Sequence, residues 1–223
     1  MTRLVLLSDT HGQHARLAGP LAVPDGDVLV HAGDCTARGG LHEYTSFLAW
    51  MGALPHRHKA FVPGNHDGLF QGARRGFLRE YAGRHGVDVL IDQGLTAAFD
   101  DGRPPVRLWG SPWTPPFGDW HFMADEDRLE SLYDPVPADL DVLVTHGPPL
   151  GVLDRNHQGH PCGSRALLEA VAAKPPRVHV FGHIHEGGGQ VRPKGGVTFV
   201  NASAHDERYR LVHAPIALDL PAR

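Results

Sequence analysis

The chain has 223 residues, 41% hydrophobic and 21% charged, the proportions of a folded globular protein rather than a disordered or fibrous one. Its formal charge of −4 offers no basic field for a nucleic-acid polymer or an anionic membrane surface. No apolar run reaches the ~20 residues that span a bilayer, so no membrane partner is expected.

In chain order, residues 3–8 read as a first buried strand running into Ser8-Asp9-Thr10-His11-Gly12, and residues 27–32 as a second running into Gly33-Asp34. Apolar spacings of three and four predict a helix over 41–51. A third strand, 58–63, meets Gly64-Asn65-His66-Asp67, and a second helix follows over 74–84. Further strands are expected at 88–91, 96–100 and 106–109. Residues 103–120 hold five prolines and three tryptophans and read as a long ordered loop, because linkers are not so rich in large rings. Strand 141–146 delivers Thr145-His146-Gly147. A helix over 163–173 ends before Lys174-Pro175-Pro176, which cannot continue it. Strand 177–182 delivers Gly182-His183-Ile184-His185, and strands at 198–201 and 216–220 complete the set.

Strands alternating with helices imply parallel βαβ units. There are too many strands for one small sheet, so two packed sheets with helices outside are expected, in one domain over 1–223. The N-terminal apolar stretch ends in a carboxylate without a small-residue cleavage site and is not a signal peptide. Cys35 and Cys162 are not spaced as a redox or metal pair. These features predict a cytoplasmic protein. Three lysines against eighteen arginines, with abundant Ala and Gly, suggest a bacterial, GC-rich genome.

The unusual number is 17 histidines, and their positions carry the argument. Five strand ends bear Asp9, His11, Asp34, Asn65, His146, His183 and His185, and the carboxyl ends of parallel strands form the crevice where ligands bind. Seven oxygen and nitrogen donors exceed one tetrahedral zinc but suit two cations sharing a carboxylate. The imidazoles select Mn, Fe, Zn or Co over Ca or Mg, and the absence of thiolate argues against a structural zinc knot. Gly12, Gly33, Gly64, Gly147 and Gly182 are expected to let the backbone turn sharply beside the cations. Two such metals suit phosphate-ester hydrolysis. His66 is then placed to protonate the leaving oxygen, with Asp67 expected to orient its ring.

In this order Asp-x-His, Gly-Asp, Gly-Asn-His-Asp, His-Gly and Gly-His-x-His resemble the calcineurin-like metallophosphoesterase superfamily. Thr145-His-Gly-Pro-Pro-Leu-Gly151, Val180-Phe-Gly-His-Ile-His-Glu-Gly187, Gly110-Ser-Pro-Trp-Thr-Pro115 and Asn201-Ala-Ser203 look like its metallophosphoesterase-domain-containing branch. The resemblance implies a four-layer α/β/β/α sandwich of two mixed sheets with metals at the strand carboxyl ends. It implies Asp9, His11 and His185 on one metal, Asn65, His146 and His183 on the other, and Asp34 between them. It also implies phosphodiester hydrolysis, with cyclic nucleotides among the substrates. Some animal members carry Gly at the place of His183 and are weak catalysts. Gly33-Asp34-x-x-x-Arg38-Gly39 echoes a phosphate-gripping arginine of the protein-phosphatase branch, a role this branch does not depend on.

The expected substrate is therefore a small phosphodiester, touched by Asn65 and His66 and more weakly by Arg38, Trp113 and Phe117, whose rings could stack a base. The rival readings are a phosphomonoesterase or protein phosphatase on the same metals, and a non-catalytic metal-binding interaction module. His31 and His179, inside strands, read as core histidines. His157 and His160 read as a solvated loop, and Cys162 as a small buried residue.

Overall fold

The computed structural model describes residues 1–222. Among these residues eleven strands lie in two sheets. The five-stranded sheet has the order β11-β1-β2-β3-β4, from Ile216–Leu220, Thr2–Leu7, Val28–His31, His58–Phe61 and Asp88–Val89. Only β11 runs antiparallel there. The six-stranded sheet is β5-β6-β7-β8-β10-β9, from Gln93–Ala97, Val106–Ser111, Val142–Thr145, Val178–Phe181, Val197–Asn201 and Gln190–Lys194. Its two edge strands are antiparallel to their neighbours.

The central strands are apolar on both faces, as parallel strands covered on both sides must be. Alternation assigns each face. Leu4, Leu6, Val28, Val30, Val142, Val144, Val178 and Val180 meet between the sheets. Val5, Leu29 and Phe61 point outward onto α1 (Leu41–Ala53) and α2 (Arg75–Arg84), packing on Phe47, Leu48, Met51 and Leu78. On the other side Leu143, Phe181 and Phe199 meet α3 (Glu126–Tyr133) and α4 (Arg165–Ala173). The result is the α/β/β/α sandwich, and the parallel strands of both sheets end at the same rim.

Three elements differ from expectation. The strand expected at 96–100 is β5, three residues earlier, because residues 98–102 turn back toward β6. Helix α3 was not anticipated: its eight residues bury only Leu129 and Tyr133, so its apolar stripe is thin. Strand β9 contains Pro193 and is exposed throughout, which the sheet tolerates only at an edge. Within 103–120, β6 extends to Ser111, and the remainder folds over the sandwich rim.

Candidate active site

The loops after β1, β2, β3, β7 and β8 converge. Asp9, His11 and His185 bring ligand atoms within 4.8 Å of one another, as do Asp34, His146 and His183, and a third group joins His11, Asp34 and His66. Asn65 belongs to the second group, its Oδ1 lying 2.9 Å from His146 Nε2. All seven ligands expected from the sequence thus share one volume, and Asp34 belongs to two of the groups.

The backbone is bent to achieve this. Asp9 (φ 51°), His11 (φ 40°), Asp34 (φ 54°) and His183 (φ 66°) all adopt the left-handed region that side chains avoid. Each such residue costs on the order of 1–3 kcal/mol and persists only where its surroundings hold it. Here Asp9 N–H donates to Gly33 O (2.8 Å) and His11 N–H to Asp34 O (3.0 Å). His183 N–H donates to both carboxylate oxygens of Asp9, at 3.1 Å each, and His66 N–H to Asp34 Oδ1 at 2.8 Å. The glycines serve two purposes. Gly12 and Gly33 turn the chain at φ 72° and 111°, as expected. Gly64 and Gly182 instead leave room: a Cβ would fall 2.3 Å from Asp34 Oδ1 and 1.9 Å from Asp9 Oδ2 respectively.

The imidazoles are oriented from behind. His146 Nδ1 faces Ala32 O at 2.9 Å and His185 Nδ1 faces Asp206 O at 3.2 Å, so Nε2 of each points inward. Metal-ligating histidines are held this way, with the far N–H on a carbonyl. His11 Nε2 and His185 Nε2 converge to 3.3 Å, and His185 Nε2 lies 3.4 Å from Asp9 Oδ1. Two ring nitrogens and a carboxylate oxygen converging on one point suit a cation.

Burial alone would push the two carboxyls up, but the surrounding imidazoles outweigh it. His185, then His146, holds Asp9 well below the usual carboxylate range, and His146 does the same for Asp34. Burial works against a charged His146 ring, yet Asp34, 3.4 Å away, lifts its pKa to about 9. His11 and His183, chiefly through burial, fall to about 4 and about 3 and stand neutral, ready to donate lone pairs.

His66 stands beside this cluster, its Nε2 3.9 Å from Asp34 Oδ2. Asp67 does not orient it. The Asp67 carboxylate accepts from the N–H groups of Gly64, Cys35 and Thr36, the Thr36 hydroxyl and the Cys35 thiol, pinning the β2 loop to the β3 loop. The ring is held instead by Ala37 O on Nδ1 (2.9 Å) and by Trp120, whose ring packs 4.2 Å away. Glu43 fixes that carbonyl by collecting the N–H groups of Ala37, Arg38 and Gly40. The Arg38 side chain is exposed and does not line the cleft.

Above the cluster opens a cleft of about 610 Å³. Phe117 lines it, 5.8 Å from the His183 ring, but Trp113 does not. The indole N–H of Trp113 donates to Asp92 and its ring packs on Phe122, so it builds the rim rather than a stacking surface. Cys162 lies on the cleft wall instead of in the core, and His157 reaches the rim, while His160 does not. His31 and His179 are core residues bonded to Thr10 and Thr145.

Sequence reading missed the segment after β10. His205 Nδ1 faces Asp9 O, Asp206 O holds His185, and Tyr209 (φ 56°) sets its ring 5.2 Å from His11 and 4.9 Å from His185. A His-Asp pair beginning four residues beyond a strand end was the available signal.

The calcineurin-like phosphoesterase family pattern matches residues 2–187, more than half of the chain. The chain belongs to this family. Human metallophosphoesterase domain-containing protein 1 is 38% identical over 99% of this chain and 71% of its own length. A Caenorhabditis elegans protein of the UPF0046 group is 35% identical over 98% of this chain and 81% of its own. Both are animal proteins, so they lend the bacterial origin suggested by composition no support. Among solved structures, the phosphopantetheinyl hydrolase of Mycobacterium tuberculosis superposes with a TM-score of 0.62 at 18% identity, covering 92% of this chain and 90% of that one. At that identity the likeness concerns the fold. As a calcineurin-like phosphoesterase the chain is a metal-dependent phosphoester hydrolase, and the clustered donors described above are its candidate metal-binding residues.

Proposed function

We propose that the chain is a dinuclear, transition-metal phosphodiesterase of one domain, acting on small nucleotide-type phosphodiesters, cyclic nucleotides among them. The observation that carries the reading is the place of Asp34. Its Oδ2 lies 3.4 Å from His146 on one side and 3.9 Å from His11 and from His66 on the other, as a bridging carboxylate requires. Asp9, His11 and His185 would hold one cation and Asn65, His146 and His183 the other. When bound, such a pair supplies Lewis acidity and a nucleophilic water at neutral pH.

The chain's own groups do the rest. The seven donors would hold the cations at the cleft floor, and Asn65 and His66, which line that floor, contact the phosphate oxygens. His66 Nδ1–H donates to Ala37 O, so Nε2 faces the cluster. As an imidazolium the ring gives its Nε2 proton to the leaving oxygen and is left neutral, with its Nδ1–H still on Ala37 O. Trp120 restricts the ring to that direction. Phe117, Trp120 and Tyr209 offer apolar walls for a planar ester group, which supports a nucleotide-type diester over a phosphoprotein. A reducing cytoplasmic setting is supported by two unbridged cysteines, and no described helix is long and apolar enough to cross a membrane.

Metal analysis of purified protein, together with Mn²⁺-supported turnover of bis(p-nitrophenyl) phosphate, p-nitrophenyl phosphate and cyclic nucleotides, tests this. Two metals per chain and preference for diesters are expected. Preference for the monoester would transfer the site to a phosphomonoesterase, and bound metal without turnover of any of these esters would leave the metal-binding interaction module.

A further inference from the structure

The cleft walls carry a charge pattern opposite to that of a polyphosphate site. Among the described residues lining the cleft there is no lysine or arginine, while Glu186 and Glu207 both line it. Phosphate groups are ordinarily gripped by guanidinium forks or ammonium groups. The nearby arginines are engaged by carboxylates and do not line the cleft: Arg210 is bonded to Asp206, and Arg208 lies 3.6 Å from the exposed side chain of Glu207. Glu186 has exposed His157 at 3.7 Å. Much of the remaining wall is apolar or aromatic, including Phe117, Trp120, Pro115 and Ile184.

We infer that this cleft selects phosphodiesters with a single phosphate, and that Glu186 and Glu207 are the residues that reject a second one. The inference rests on the phosphodiesterase reading and names its substrate class: one phosphate on the floor, with neutral or ring-bearing ester arms along the walls. A phosphate in the outer cleft would lose water without gaining a cation, and would face two carboxylates. Like charges ~7 Å apart weaken binding by about fiftyfold at an effective dielectric of ~20 and by about threefold at that of water. About tenfold is therefore expected in an open, partly solvated cleft. Cyclic mononucleotides and nucleoside aryl esters fit; nucleotides bearing a remote second phosphate do not.

Calorimetric binding of thymidine 5′-phosphate and thymidine 3′,5′-bisphosphate to the full Mn²⁺-loaded protein tests the selection. The bisphosphate should bind about tenfold more weakly. Combining Glu186→Gln with Glu207→Gln should bring the two affinities within about twofold, with each single change closing part of the gap. Equal or tighter binding of the bisphosphate, a gap that survives the double substitution, or failure of both ligands to bind would each overturn the proposal. Hydrolysis of bis(p-nitrophenyl) phosphate is followed in parallel. Turnover without discrimination sinks the selectivity and spares the phosphodiesterase reading. Discrimination without turnover supports the selectivity and sinks that reading.

Discussion

His66 is the residue where binding and chemistry separate most cleanly. It touches the ligand cluster through Asp34 but is itself oriented by Ala37 and Trp120. His66→Ala should leave metal content nearly unchanged and lower turnover by roughly 10²–10⁴, the range for loss of a general acid. The loss should be greatest for alkyl esters, whose leaving groups need the proton most. Elemental analysis and paired kinetics on nitrophenyl and alkyl substrates check both halves, and a fall in metal content would make His66 a ligand instead.

The His146–Asp34 pair gives the metal-free protein a pH signature. Its pKa, raised from the ordinary ~6.5 to about 9 in the fold, means that the pair's stabilisation is complete below the unfolded value and is lost as pH rises through the folded one. The same proton competes with a cation for Nε2. Thermal melts of chelated protein should therefore show falling stability from ~6.5 to about 9, while Mn²⁺ affinity increases over that window. A metal-free midpoint that climbs across it would contradict the pairing.

Among the elements, α4 shows how a remote helix shapes the cleft. Ser164 caps it, its hydroxyl accepting from Leu167 N–H at 3.1 Å, while Glu126 of α3 accepts from the N–H groups of Arg165 and Ala166 and from that hydroxyl. A carboxylate at a helix N-terminus satisfies orphan donors and opposes the dipole. The loop before this cap carries Asn156, Pro161 and Cys162 along the cleft wall. Ser164→Ala should cost about 1 kcal/mol, read as a lower urea midpoint with unchanged slope and unchanged metal stoichiometry. The cap was legible only in part. Helix 163–173 was evident from its apolar spacing, whereas α3, which supplies half of the capping, has too few buried residues to announce itself.

At the scale of the whole molecule, five loops from two sheets are tied together by the ligand cluster. Asp9 of the first sheet accepts from His183 of the second, and His146 of the second reaches Ala32 of the first. Cations bound there join the two sheets, and anything that binds only the folded state stabilises it by mass action. At a hundredfold excess over its dissociation constant, Mn²⁺ should add about 2.7 kcal/mol, or roughly 5–10 °C in the melting midpoint for a chain of this size. Scanning calorimetry before and after chelation measures this. An identical midpoint would mean that the cluster does not bind metal in the native protein.

Local order along the chain determined a great deal. Apolar runs ending in Asp-x-His, Gly-Asp, Gly-Asn-His-Asp, His-Gly and Gly-His-x-His were enough to predict strands, their common rim and the seven donors, because periodicity and strand polarity are local properties. Tertiary structure decided what those donors are held by. Asp67 lies beside His66 in sequence yet turns away to the β2 loop, while Ala37 and Trp120, 29 and 54 positions from it, orient the ring. Tyr209, Glu186 and Glu207 reach the cleft because loops from both sheets end at one rim, and Trp113 is kept off it by Asp92. Hydrogen bonds and charge act through space, so which neighbour a side chain meets is fixed by the packing of the sheets rather than by its place in the sequence.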